Sequence, residues 1–201
     1  MILDPSAVSP GDLYRFMISV VVPRPIAFVS TVGRDGRFNV APFSYYNAIT
    51  NRPPLLGISI NRREGVPKDT LRNIEQTEEF VVNSVDEPLA AQMVLSSGDW
   101  PDDVDEFALT ALTPVPSDLI KPPRVGESPV SLECRLHRLI ELGSTFFVVG
   151  EILRAHVRDS VLTDGRVDIA KLRPLGRLGG DGYSVVRDVI HMPRPKVAPK
   201  A

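Results

Sequence analysis

Apolar residues in this chain fall in short runs broken by Gly, Pro, Asn and Asp, a pattern of strands and turns rather than of long helices. Residues 18–32, ISVVVPRPIAFVSTV, are β-branched and apolar on both alternating faces, which predicts a strand buried on both sides. Gly33-Arg34-Asp35-Gly36 follows, and Asp-Gly between apolar runs signals a hairpin whose return strand should run from Phe38 to about Tyr45. NAITNRPP (47–54) reads as a loop, and LLGISI (55–60) as a third strand.

From Lys68 the period changes. Asp69 or Thr70 can cap a helix whose apolar positions, Leu71 and Ile74, lie three apart. EEFVVNSV (78–85) reads as a strand, and Asp86, with Pro88 in the first turn, opens a second helix with Leu89, Met93 and Val94 as its buried stripe. Residues 97–128 are rich in Pro, Gly and Asp and read as a long excursion, a feature often tied to function. SLECRLHRLIEL and TFFVVGEILRAHV form a second hairpin about Gly143-Ser144, VLTDGRVDI a short third one, and RPLGRLGGDGYSVV ends the fold. The Pro- and Lys-rich tail from about residue 192 is expected to be mobile. Six or seven strands joined by hairpins, with two or three helices, predict a small antiparallel β-barrel with helical decoration. It is a single domain over 1–201 with its core at about 12–188.

The composition narrows the class. With 201 residues, 43% of them hydrophobic and 24% charged, the chain can bury one sizeable core and is neither disordered nor membranous. It has no unbroken apolar run of about 18 residues, and no secretory signal is read at its N-terminus. A formal charge of -2 gives no basic footprint for nucleic acid. Cys134 is the single cysteine and His137, His156 and His191 are far apart, so neither a disulfide framework nor a metal site is expected, and a cytoplasmic home follows. Nineteen prolines, many at strand ends, favour a strand-and-loop protein.

Motifs for hydrolase, P-loop and Rossmann chemistry are absent. Gly176-Arg-Leu-Gly179-Gly180-Asp-Gly182 is either a weak phosphate loop or a turn closing the barrel. INRREGVPKDTLRNI (60–74) places Lys68 and Thr70 at a helix start, with Arg62 and Arg63 upstream. That combination suits a phosphate monoester, but on these residues alone an ordinary capped helix with a solvated lysine beside it is the favoured reading. NVAPFSYYNAITNRPP (39–54) mixes Ser44, Asn47 and Thr50 with apolar and aromatic neighbours. Such a mixture suits a flat heteroaromatic ring or a surface loop closing a sheet. Trp100, Arg24, Arg177 and Tyr183 are further candidates for a pocket or for packing, while His137 and His156 are expected to be structural.

RPIAFVST, NVAPFSYYN, RPP, KDTLRNI, EFVVN, DEF with SPVSLECRL, VVGEI and PLGRLGG with Tyr183 occur in an order that resembles the flavin reductase-like family over roughly residues 12–188. Flavoredoxin and the flavin reductase components of two-component monooxygenases belong to that family. The resemblance implies a six-stranded antiparallel FMN-binding split barrel and a homodimer with flavin near the subunit interface. It implies that Phe43, Ser44, Asn47, Ala48, Ile49 and Thr50 line the isoalloxazine, and that Ser59, Arg62, Lys68, Asp69 and Thr70 lie along the ribityl phosphate. Relatives often carry Ser-x-Thr where this chain has Lys68-Asp69-Thr70. The Asp69 carboxylate would repel a phosphate, so Asp69 is expected to cap the helix.

The function so implied is hydride transfer from NADH or NADPH to flavin N5, with a monooxygenase or another protein as possible acceptor. No side-chain acid or base is required, because the chemistry belongs to the cofactor. A flavoredoxin-like electron carrier and a non-catalytic binding module for flavin or another aromatic ligand are the competing readings.

Overall fold

Strand alternation decides the architecture. The computed structural model describes residues 2–62, 65–101 and 103–195. Its elements are α1 (Pro10–Val20), β1 (Arg24–Pro25), β2 (Ala27–Val32), β3 (Phe38–Phe43), β4 (Tyr46–Asn51), β5 (Pro54–Asn61), α2 (Asp69–Thr77), β6 (Glu79–Asn83), α3 (Ala90–Ser96) and α4 (Glu106–Thr110). They continue with β7 (Pro114–Val115), β8 (Arg124–Val125), β9 (Val130–Leu142), β10 (Thr145–Val157), β11 (Leu162–Thr163), β12 (Arg166–Val167), α5 (Ile169–Leu172), β13 (Leu175–Arg177) and β14 (Tyr183–Val185).

Seven strands form one antiparallel sheet in the order β3-β2-β6-β9-β10-β5-β4. The expected β2–β3 hairpin is present, with Gly36 at φ 83°, and so is the long β9–β10 hairpin about Gly143. Asp164 and Gly165, both at positive φ, turn β11 into β12. The glycine-rich segment is the turn of the β13–β14 hairpin. Among the described residues no helix is long and apolar enough to cross a membrane.

Every residue of β2 is buried, because the strand serves two cores. Ala27 and Val29 join Leu56, Ile58, Phe80, Cys134 and Val148 in the core on one side. Phe28 joins Val40, Leu89, Met93 and Phe107 on the other, beneath α3 and α4. The run 97–128 is therefore built structure, since α4 and the β7–β8 pair lie within it.

Three expectations are corrected. Residues 18–20 end a helix, not a strand: Ser9 accepts from Asp12 N–H and Pro10 occupies the first turn, so the apolar run is split between α1 and β2. Residues 46–51 are the edge strand β4, not a loop, because the Arg52–Pro53 turn folds them onto β5. Asn and Thr are tolerated there since β4 is exposed from Asn47 onward, with a bulge between Ala48 and Thr50. In α3, Leu89 and Met93 are buried as expected but Val94 is 44% exposed, and Pro88 precedes the helix, where the Asp86 carboxylate accepts from Leu89 N–H. The tail is exposed coil over 192–195, and the rest of it lies outside the described residues.

Gly150 in β10 lies under the ring of the fully buried Phe80, where a Cβ would fall well inside contact distance. Gly150→Ala is expected to overpack this core and cost about 1–3 kcal/mol, read as a lower urea midpoint with an unchanged slope.

Candidate functional site

Two cavities open about the Phe43–Ser44 step at the end of β3. One, of about 360 Å³, lies between β3, the segment entering α2 and the turn after α3; Phe43, Lys68, Asp69, Thr70, Trp100 and Glu106 are among its lining residues. The other, of about 380 Å³, has Arg24, Ser44, Tyr45, Tyr46, Asn47 and Ser59 on its wall, and Met17, Val21 and Phe147 give it apolar surface.

In the first cavity the start of α2 carries no side-chain cap. Lys68 stands at the N-cap position with extended backbone, and its side chain does not supply the cap that Ser, Thr, Asp or Asn would give there. Neither Asp69 nor Thr70 caps the helix, in contrast to the sequence expectation, because both lie inside the first turn and their side chains are engaged elsewhere. Asp69 pairs with Arg72, three residues on. Thr70 is buried and its hydroxyl donates to Asn39 Oδ1 at 2.8 Å, so it faces the core. The Lys68 ammonium lies 5.9 Å from the Phe43 ring centroid and has no carboxylate partner among the described residues.

Asn39 and Glu106 are site residues that sequence reasoning missed. Asp105 caps α4 by accepting from Phe107 N–H at 2.8 Å, and this sets Glu106 at the first helical position facing the barrel. Glu106 is 7% exposed, and Asn39 Nδ2 donates to both of its carboxylate oxygens at 3.1 Å. Burial pushes its carboxyl above the usual range, against the pull of these hydrogen bonds. Trp100 forms a wall of the same cavity, with its indole N–H donating to Leu95 O at 2.9 Å.

In the second cavity Arg24 is buried and its Nε donates to Ser44 Oγ at 3.2 Å. Burial pushes the Tyr46 phenol up to about 12 and raises Tyr45 as well, so both are neutral at physiological pH. Asn47 is exposed on the rim. Ala48, Ile49 and Thr50 are exposed on β4 and line neither cavity, and Arg62 sits away from both, 3.2 Å from Glu141 and over the Phe146 ring. Arg63 lies outside the described residues.

The remaining candidates line neither cavity. Arg177 donates to Gly180 O at 2.6 Å and stacks on Tyr183. His137 is exposed on β9, and Cys134 is buried with its thiol pushed up by desolvation. His156 bonds Glu133 at 2.6 Å, and Asp118 brings a third ligand-type group within 4.8 Å of these two. Each is already engaged with protein groups: Glu133 also accepts from Asp118 and Leu119 N–H, and Asp118 pairs with Arg154 at 2.7 Å. This cluster fastens the excursion to β9 and β10.

Residues 19–172 match the family described as flavin reductase like domain. The chain belongs to the flavin reductase-like family. Its structure superposes on nitrilotriacetate monooxygenase component B from Bacillus cereus with a TM-score of 0.93 and 33% identity, covering 96% of this chain and 98% of that one. The 2-nitrobenzoate 2-nitroreductase of Pseudomonas fluorescens is similar over 100% of both chains, with a TM-score of 0.90 and 33% identity. Flavoredoxin of Desulfovibrio vulgaris gives 0.79 and 25%, over 96% of this chain and 97% of its own. The barrel is thus the split barrel of the flavin reductases, and the family carries oxidoreductase chemistry with a flavin cofactor.

The raised Glu106 carboxyl has a consequence for stability. A group whose pKa is higher in the folded state stabilises fully below its unfolded value and loses that contribution as pH rises through the folded one. Glu106→Gln, which keeps an acceptor for Asn39 without a charge, should therefore raise Tm relative to the parent at about pH 8 more than at about pH 4. Thermal unfolding at the two pH values checks it, and a difference independent of pH would show that Glu106 is not protonated more readily in the folded chain.

Proposed function

We propose that this chain binds FMN and acts as an NAD(P)H-dependent flavin oxidoreductase. One observation carries the reading: the start of α2, without a side-chain cap from Lys68, and the Lys68 ammonium, without a carboxylate partner among the described residues, lie in a cavity next to a second cavity that is apolar-walled and polar-edged, in a chain of the flavin reductase-like family. A helix N-terminus with free N–H groups and a nearby cation is the chemistry a phosphate monoester needs. Lys68 and the first-turn N–H groups of α2 hold the phosphate. Ser44, Asn47 and Ser59 serve the polar edge of the ring, with Phe43 between the two ends. Thr70, turned toward Asn39, fixes the helix rather than the ligand.

The bound flavin supplies a hydride-accepting N5 atom to NADH or NADPH. The chain's own residues position the ring: Met17, Val21 and Phe147 give its cavity apolar walls, and the neutral Tyr46 phenol adds no charge. The acceptor is a monooxygenase or another oxidant, a reading supported by the likeness to a monooxygenase component B. The buried single thiol is compatible with a cytoplasmic home. A homodimer is part of this reading, supported by α1, which buries none of its residues and leaves Tyr14, Met17 and Val20 at 53%, 44% and 56% exposure, with Met17 on the wall of the second cavity. Light scattering should give twice the chain mass at micromolar concentration; a monomer that still holds FMN tightly would refute the dimer.

Lys68→Ala should weaken FMN binding about tenfold or more and leave riboflavin binding unchanged, since a hydrogen bond to a charged group contributes about 1.5–3 kcal/mol. Equal losses for both ligands would place the phosphate elsewhere. Anaerobic stopped-flow mixing of the FMN-loaded protein with NADH and with NADPH tests the activity. At least one nicotinamide should bleach the bound flavin faster than it bleaches free FMN. If neither does, the protein is an electron carrier.

A further inference from the structure

Arg24 is 6% exposed, and among the described residues no carboxylate pairs with it. Neutral acceptors alone hold the guanidinium. Nη1 donates to Ile18 O and Val21 O, both at 2.8 Å, Nη2 to Leu178 O at 3.0 Å, and Nε to Ser44 Oγ at 3.2 Å. The ring of Tyr45 lies 5.8 Å from the guanidinium carbon. Carbonyl dipoles orient and solvate the cation without cancelling its net charge. Buried charges are ordinarily paired, and arginine does not shed its proton at any working pH. Its field therefore falls on the cavity that Arg24 lines with Ser44, Tyr45 and Asn47. Tyr45 and Tyr46, the other titratable groups on that wall, are neutral phenols, so nothing negative there offsets it.

We propose that Arg24 is the fixed cation of the ring cavity and stabilises the negative charge that a flavin ring acquires there on two-electron reduction. The inference rests on the flavin reading above. A hydride delivers a proton and an electron pair together to N5, the nicotinamide leaves in its oxidised form, and the added negative charge resides on the N1–C2=O edge of the ring. A buried cation lowers the energy of that product and not of the neutral oxidised ring, so it raises the two-electron midpoint potential. Ser44, which accepts from Nε, positions the guanidinium.

The test uses FMN-loaded protein, dye-equilibrated reductive titration, and the absorption spectrum of the fully reduced form at about pH 7. The parent should hold its reduced flavin as the anion. Arg24→Gln should weaken binding of reduced relative to oxidised flavin about tenfold, a fall of about 30 mV in a two-electron potential. Arg24→Lys, which keeps the charge but not the full set of carbonyl bonds, should retain most of the parent potential. A purely structural arginine would move thermal stability in both variants and the potential in neither, and equal potentials in parent and Arg24→Gln overturn the proposal. If Arg24→Gln fails to fold or to hold FMN, the parent spectrum decides: a neutral reduced flavin at that pH overturns the proposal while the FMN reading stands. Failure of the parent to bind FMN at all overturns both, and is seen before any variant is measured.

Discussion

A single buried amide, that of Asn39, ties the barrel to the helices of the site. Its oxygen accepts from Thr31 and Thr70 and its nitrogen donates to Glu106, so β2, β3, α2 and α4 meet at one side chain. Asn73 extends the chain by donating to Thr31 at 3.0 Å. Buried polar groups must be satisfied, and among the described residues no buried side-chain nitrogen or oxygen lacks a partner. Removing one member would leave several others unpaired at once, so the network has essentially one arrangement. That arrangement sets where α2 begins, and hence where its first turn faces.

The same network explains why Thr70 and Asp69 take unexpected roles. A helix start often spends its hydroxyl or carboxylate on a cap. Here the hydroxyl is drawn into the barrel by Asn39, and the carboxylate is neutralised by Arg72. The helix end is left open and the nearest acid is kept from imposing its charge. Glu106, its carboxyl pushed up by burial, accepts from Asn39 at both oxygens.

The fold was legible wherever local chemistry fixes the backbone. Asp35-Gly36, Gly143-Ser144 and Asp164-Gly165 announce hairpins through residues that accept positive φ, and all three turns are present. Helix α1 was equally written in Ser9-Pro10-Gly11-Asp12, but its β-branched end runs into β2 and masked the change of period. Strand β4 could not be read locally, since Asn47, Thr50 and Asn51 are strand residues only because β5 supplies a partner. The site divides in the same way. Lys68 was marked by its place before a helix, whereas Asn39 with Glu106, 67 positions apart, become partners only through the packing of α4 on β3.

The two cavities share an electrostatic logic that neither shows alone. Each presents one cation without a carboxylate partner among the described residues, Lys68 in the first and Arg24 in the second. The chain as a whole carries a formal charge of -2, so these positive sites do not follow from its composition. They arise because nearby acids are paired, as Asp69 is with Arg72, or held by hydrogen bonds, as Glu106 is. The two cations differ in kind. Lys68 is exposed, and a lysine ammonium on its flexible four-carbon stem suits a charge already present on a ligand. Arg24 is buried and fixed at four points, which is what a charge developing during reaction requires, because a preorganised dipole or cation need not reorient as that charge forms.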